Sequence, residues 1–198
     1  MRKLLIGTTN QAKFNDYKNL LKEYDFEFVS PEDLNIPEPR EVGSNYEQVA
    51  VAKAKYYFEK SKLPTIVDDG GFEVDALNNE PGIKSHRWLG ENSSDEKLIS
   101  EVLKRMEKIE DDKRQCRFVV EVALSTNLGV YTSNAEISGI VAKAPAETRI
   151  QGYPYRSLMY LPNYGKFYCD ISEQEHDILN HRKHALEKLH DVLLEISG

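Results

Sequence analysis

The chain carries only two cysteines, Cys116 and Cys169, in 198 residues. That is too few for a disulfide framework, so both read as reduced thiols. No apolar run approaches the roughly 20 residues that span a bilayer, which argues against a transmembrane helix. The opening Met1-Arg2-Lys3 is followed by only Leu4-Leu5-Ile6, short of a signal-peptide core, and predicts a cytoplasmic protein. A basic excess is missing too: 26 Lys and Arg face 33 Asp and Glu, for a net charge of −7. That balance argues against a general nucleic-acid binder. A small anionic ligand stays open, because a few lysines and a metal make a local positive pocket. Internal repeats, low-complexity tracts and a linker are also lacking.

What is present is a globular mix, 40% apolar and 30% charged, in a chain sized for one domain, 1–198, with or without two lobes around a cleft. Lys3 to Thr8 reads as a buried strand, and Asn10 as the N-cap of a helix with Phe14, Tyr17, Leu20 and Leu21 on one side. Phe26 to Val29 is a short strand; Pro31 to Gly43 is a polar loop. Ser44 and Glu47 have capping-box spacing before a helix running to about Lys60. Pro64 to Val67 enters a buried strand that ends at Asp68-Asp69-Gly70-Gly71. Ser93 and Glu96 suggest another capping box, for a helix striped by Leu98, Val102, Leu103 and Met106. Two long strands follow, about Cys116 to Ser125 and Val130 to Ala142, turning at Gly129. Ala144 to Gly165 reads as a loop. A last helix spans about Glu173 to Ile196, introduced by Ser172 and Glu175. The pattern predicts an α/β fold with a mixed sheet.

Four segments carry candidate chemistry. Thr8-Thr9-Asn10-Gln11-Ala12-Lys13 joins the first strand to the first helix, where backbone N–H groups and the helix dipole favour an anion. It lacks Walker A glycine spacing, and from local sequence alone a capped helix with a surface lysine is the better account. Asp68-Asp69 closes an apolar strand, where two acids suit a hard cation or form a solvated turn. Glu41 could complete such a site from its loop. Asn180-His181-Arg182 could read a base edge or lie on a helix surface. His176, His181 and His184 have no cysteine or acid at matching ligand spacing, so zinc is not indicated. Gly152-Tyr153-Pro154-Tyr155-Arg156, followed by Lys166, suits stacking on a planar heterocycle or plain loop packing.

Taken in order, these segments resemble the inosine triphosphate pyrophosphatase family. Thr8 to Lys13 stands against the family's T-G-N-x-x-K. Asp68-Asp69-Gly70-Gly71-Phe72-Glu73-Val74-Asp75-Ala76-Leu77, with Pro81-Gly82 and Ser85, matches D-D-S-G-L-x-V-D-A-L…P-G…S. Asn180-His181-Arg182 with Ala185-Leu186 stands where the family has S-H-R…A-L. The resemblance covers nearly the whole chain. It implies an elongated mixed sheet flanked by helices, two lobes around a central cleft, a homodimer, and Mg²⁺-dependent hydrolysis of non-canonical purine nucleoside triphosphates to monophosphate and pyrophosphate. It further implies that Thr8, Asn10, Lys13, Lys53 and Gly70 surround the phosphates. Glu41, Asp68 and Asp69 would face the metal, and Asp69 would also activate water. Tyr153 would stack on the base, Lys166, His181 and Arg182 would contact the nucleotide, and Tyr155 and Arg156 of the same loop would line the substrate site.

The departures set the open questions. Thr9 stands for a glycine, Gly70 for a serine, Gln48 for an asparagine and Asn180 for a serine. The family's F-G-[YWF]-D loop becomes Tyr153-Pro154-Tyr155-Arg156, and Arg156 reverses the charge of the base-side aspartate. Pyrophosphatase chemistry with altered base recognition is expected; a nucleotide-binding sensor or scaffold with little turnover is the alternative.

Overall fold

In the computed structural model, which describes residues 2–90 and 93–198, the chain forms two compact units. One comprises Met1–Asp69, Val120–Ala135 and Arg182–Gly198; the other comprises Gly70–Val119 and Glu136–His181. No described helix is long and apolar enough to cross a membrane.

In the first unit, β1 (Arg2–Ile6) pairs in parallel with β2 (Phe26–Val29) and with the start of β3 (Thr65–Val74). Alternation of side chains across β1 builds two cores. Leu4 and Ile6 meet Tyr17 and Leu21 from α1 (Gln11–Leu20) and its C-cap. Also on that face are Ala185 and Leu186 of α5 (His181–Glu187) and Leu193 of α6 (His190–Ser197). Leu5, between them, faces Ala50, Ala54 and Tyr57 of α2 (Tyr46–Ser61). Small residues on α2 let that helix lie close to the sheet.

In the second unit, β4 (Glu80–Gly82) runs antiparallel to the end of β3, and β6 (Gly129–Val141) is followed antiparallel by β7 (Met159–Leu161) and β8 (Lys166–Phe167). Next to β6 lies β5 (Gln115–Thr126). Phe72, Val74, Ile137, Val141 and Met159 pack against Leu98, Ile99 and Val102 of α3 (Asp95–Arg105). A short α4 (Glu173–Leu179) completes the helices. The mixed α/β architecture expected from the sequence is present.

Several local readings need correction. The strand entered at Pro64 does not stop at Asp68; β3 continues through Asp-Asp-Gly-Gly to Val74. Gly71 is needed there for close approach rather than for a turn: a Cβ would collide with the Gly82 carbonyl and lie 2.8 Å from Ser85 Oγ. Two caps fall one residue later than the capping-box spacing suggested, at Asn45 for α2 and Ser94 for α3, whose side chains accept from Gln48 N and Lys97 N. The Ser172/Glu175 box forms as expected. The long final helix is three helices, because Asn180 leaves the helical region at ψ 104° and a turn separates α5 from α6. The stretch from Ala144 to Gly165 is not wholly loop: it contains a 3₁₀ turn, Pro154–Ser157, and β7.

Candidate active site

In the first unit, four sequence-predicted residues, Lys13, Arg182, Lys53 and Glu41, gather on two acids. Asp68 is buried mid-strand, and each of its oxygens takes one cation: Lys13 Nζ donates to Oδ1 at 2.9 Å and Arg182 Nε to Oδ2 at 2.9 Å. Burial alone would raise this carboxyl, but the ammonium and guanidinium outweigh it and hold Asp68 well below the usual carboxylate range. Arg182 reaches this point because the break at Asn180 starts α5 anew one residue before it.

Asp69, the next residue, has the opposite setting. Burial pushes its carboxyl up to about 6; Lys53 and Lys13 pull it down, and Glu41 and Asp68 push it up. Its Oδ2 is buried without a hydrogen-bond partner. Glu41 accepts from Lys53 Nζ at 2.6 Å. Among the described residues, no group of three or more His, Cys, Asp and Glu is assembled for a metal ion. Two neighbouring carboxylates, one with an orphaned oxygen, nevertheless fit a hard cation such as Mg²⁺, which keeps several waters and takes phosphate oxygens as its other ligands. Asp68, with both oxygens already paired, is less available to it.

The β1–α1 junction is a formed cap. Asn10 Oδ1 accepts from Ala12 N at 2.9 Å and Lys13 N at 3.2 Å, and Asn10 N donates to Thr8 Oγ1 at 3.2 Å. Thr9 does not fill the junction; its hydroxyl donates to Glu38 Oε2 at 3.2 Å. Beside it lies a cavity of about 280 Å³ lined by Thr8, Thr9, Gln11, Phe14 and Glu38 among others.

The second unit holds the remaining predicted residues. Gly70 lies within β3, leaving no hydroxyl where the resemblance expects one. Tyr155 is a core residue rather than an open stacking platform. It is 3% exposed, its ring stacks on Phe72 at 4.9 Å, and its hydroxyl donates to the Ser85 carbonyl at 2.7 Å. Arg156 sits with its guanidinium 4.3 Å from the centre of the Tyr153 ring and 5.0 Å from that of Tyr168, a cation–π arrangement. Lys166 bonds both oxygens of Glu175 at 2.8 and 2.9 Å, and those bonds, with Ser172 N–H, hold Glu175 down to about 2. His181 is buried near Phe118.

Sequence reasoning read Tyr17 as core and missed its second feature, a buried hydroxyl beside Asp68. The signal was its i, i+4 spacing from Lys13, which puts both on one face of α1.

Comparisons with known proteins agree with the fold. A family model described as the Ham1 family matches residues 4–192. The dITP/XTP pyrophosphatase of Escherichia coli (strain K12) is 30% identical over 196 residues, covering 98% of each chain. That of Haemophilus influenzae is 32% identical over 195 residues, covering 97% of this chain and 99% of its own. A HAM1 protein structure from Coxiella burnetii superposes with a TM-score of 0.88 at 28% identity, covering 98% of this chain and 100% of that one. The Staphylococcus aureus Ham1 structure gives 0.85 at 28% identity, covering 97% and 98%.

Proposed function

Because the chain belongs to the Ham1 family, we propose that it is a nucleoside triphosphate pyrophosphatase acting on non-canonical purine nucleotides such as ITP, dITP and XTP. Relatives named dITP/XTP pyrophosphatase support this reading. The observation that carries it is the contrast between adjacent acids in one charged cluster: Asp68 locked to Lys13 and Arg182, Asp69 raised and with an orphaned oxygen beside Lys53 and Glu41.

Lys13 and Lys53 neutralise the triphosphate, and the α1 N-terminus with Thr8 and Asn10 adds donors. Asp69 takes a proton from the attacking water. The water oxygen bonds to phosphorus, the bridging P–O bond between the α and β phosphates breaks, and pyrophosphate departs with the bridging oxygen. A carboxyl near 6 is ionised at neutral pH yet basic enough to accept that proton. Mg²⁺, held by Asp69 and Glu41, supplies further charge neutralisation when bound. Asp68 positions Lys13 and Arg182. The full chain, 1–198, acts as one functional domain, in a homodimer and in the cytoplasm.

Base choice is the part we expect to differ from the family. Arg156 against Tyr153 brings donors to the ring assigned to base stacking, which favours bases rich in acceptors, such as six-oxopurines. The test is pyrophosphate release from ITP, dITP, XTP and the standard triphosphates with Mg²⁺. Mg²⁺-dependent turnover of these nucleotides supports the pyrophosphatase reading, and a base profile identical to that of the dITP/XTP pyrophosphatases counts against altered base choice. Tight binding without turnover supports the nucleotide sensor instead, for which the missing hydroxyl at Gly70 speaks.

A further inference from the structure

We infer that Tyr17 is a positioning residue for Asp68: its hydroxyl takes up the hydrogen bond to the Asp68 carboxylate when Lys13 turns towards an anionic ligand. This rests on the reading of Lys13 as a phosphate-binding residue. Lys13 and Tyr17 are one turn apart on the same face of α1. The Tyr17 ring is 1% exposed and wedged among Leu4, Leu21 and Ala185, so its direction is fixed by packing. Its hydroxyl is buried without a hydrogen bond of ordinary geometry. Burial first, and then the neighbouring Asp68 carboxylate, through its charge and a hydrogen bond too loose to have ordinary geometry, hold the phenol well above its usual range, protonated and able to donate.

A buried hydroxyl without a well-formed hydrogen bond is costly, and the arrangement around Asp68 supplies a reason for it. Asp68 is satisfied as long as Lys13 holds Oδ1. The ammonium that neutralises a phosphate is the same ammonium, and any shift towards the ligand strips a buried carboxylate of one of its two cations. A phenol O–H beside that carboxylate replaces the departed donor without adding charge. No proton changes hands; one hydrogen bond is exchanged for another. Lys13 can then leave Asp68 without leaving a bare buried anion.

The experiment is a double-mutant cycle on the intact protein with Tyr17→Phe and Lys13→Met, read by thermal unfolding without ligand, together with calorimetric binding of inorganic pyrophosphate. Tyr17→Phe alone, which keeps the ring, is expected to leave Tm nearly unchanged. In the Lys13→Met background it lowers Tm by a further 3 °C or so, the size of removing a hydrogen bond to a charged group. In the Lys13 background it weakens pyrophosphate binding about tenfold, because the switch now exposes Asp68. Additive Tm shifts with unchanged pyrophosphate affinity overturn the inference. Failure of the wild type to bind pyrophosphate overturns the phosphate reading of Lys13 itself. Should Lys13→Met not fold, the pyrophosphate affinity of Tyr17→Phe decides alone.

Discussion

Asp68 and Asp69 are consecutive residues of β3 with opposite electrostatic fates: one is held ionised by Lys13 and Arg182, the other is pushed up to about 6 by burial. Adjacent residues of a strand point to opposite sides, so one chain segment presents two acids to two environments. Environments that drive neighbouring carboxyls apart assign them different roles. Here the ionised acid anchors cations and the elevated one receives a proton.

Asp69→Asn is therefore expected to reduce kcat for pyrophosphate release at least about a hundredfold, the range of general-base catalysis. Circular dichroism of the variant should stay that of the wild type, because the amide is isosteric and the Oδ2 position has no partner to lose. A variant with most of its activity intact would remove Asp69 from the chemistry.

The two acids also tilt stability with pH in opposite directions. Asp68 is depressed in the folded chain, so its contribution is present above the unfolded value of about 3.9 and fades as pH falls. Asp69 is raised, so its contribution is present below about 3.9 and is lost as pH rises through about 6. Asp68→Asn should cost about 3 to 5 kcal/mol at pH 7, since Lys13 and Arg182 keep buried charge without a counterion, and much less at pH 2. Asp69→Asn should raise Tm at pH 7 relative to wild type and do so less at pH 4. Thermal unfolding from pH 2 to 7.5 reads both slopes.

Divalent-cation binding competes with the proton on Asp69. Mg²⁺ or Mn²⁺ affinity, measured by calorimetry, should fall as pH drops from 7.5 to 5 and should lose that pH dependence in Asp69→Asn.

Arg156→Ala removes the guanidinium from the Tyr153 ring. The ratio of kcat/KM for ITP over ATP should fall about tenfold, the scale of deleting one hydrogen-bond donor from a discriminating site. The substrate panel checks this, and an unchanged ratio would separate Arg156 from base choice.

Gly71→Ala should destabilise the protein by about 1 to 3 kcal/mol or prevent folding, since the added methyl meets the Gly82 backbone and Ser85 Oγ. Denaturant unfolding measures it.

Much of this was legible in the sequence, and what was not has identifiable causes. β1, β2 and the long β5 and β6 follow from apolar runs and alternation, and the Asn10 cap from its side chain. Gly70-Gly71 misled because glycines that admit a neighbouring backbone look like glycines that turn a chain. The last helix looked continuous because nothing near Asn180 is a strong breaker; its departure from helical ψ is what delivers Arg182 to Asp68, 114 residues away in sequence. Tyr155 stays open in the sequence between stacking and loop packing because exposure is not written in residue type, and its packing on Phe72 needs the fold. Tyr17 was hidden for the converse reason: its ring obeys the apolar stripe, and only burial of the hydroxyl beside Asp68 marks it out.

The most direct trial of the catalytic account is a product analysis of ITP turnover with Mg²⁺. Inosine monophosphate and pyrophosphate should appear in equal amounts, and both should vanish in Asp69→Asn. Release of orthophosphate with inosine diphosphate, or full product formation by the variant, would contradict it.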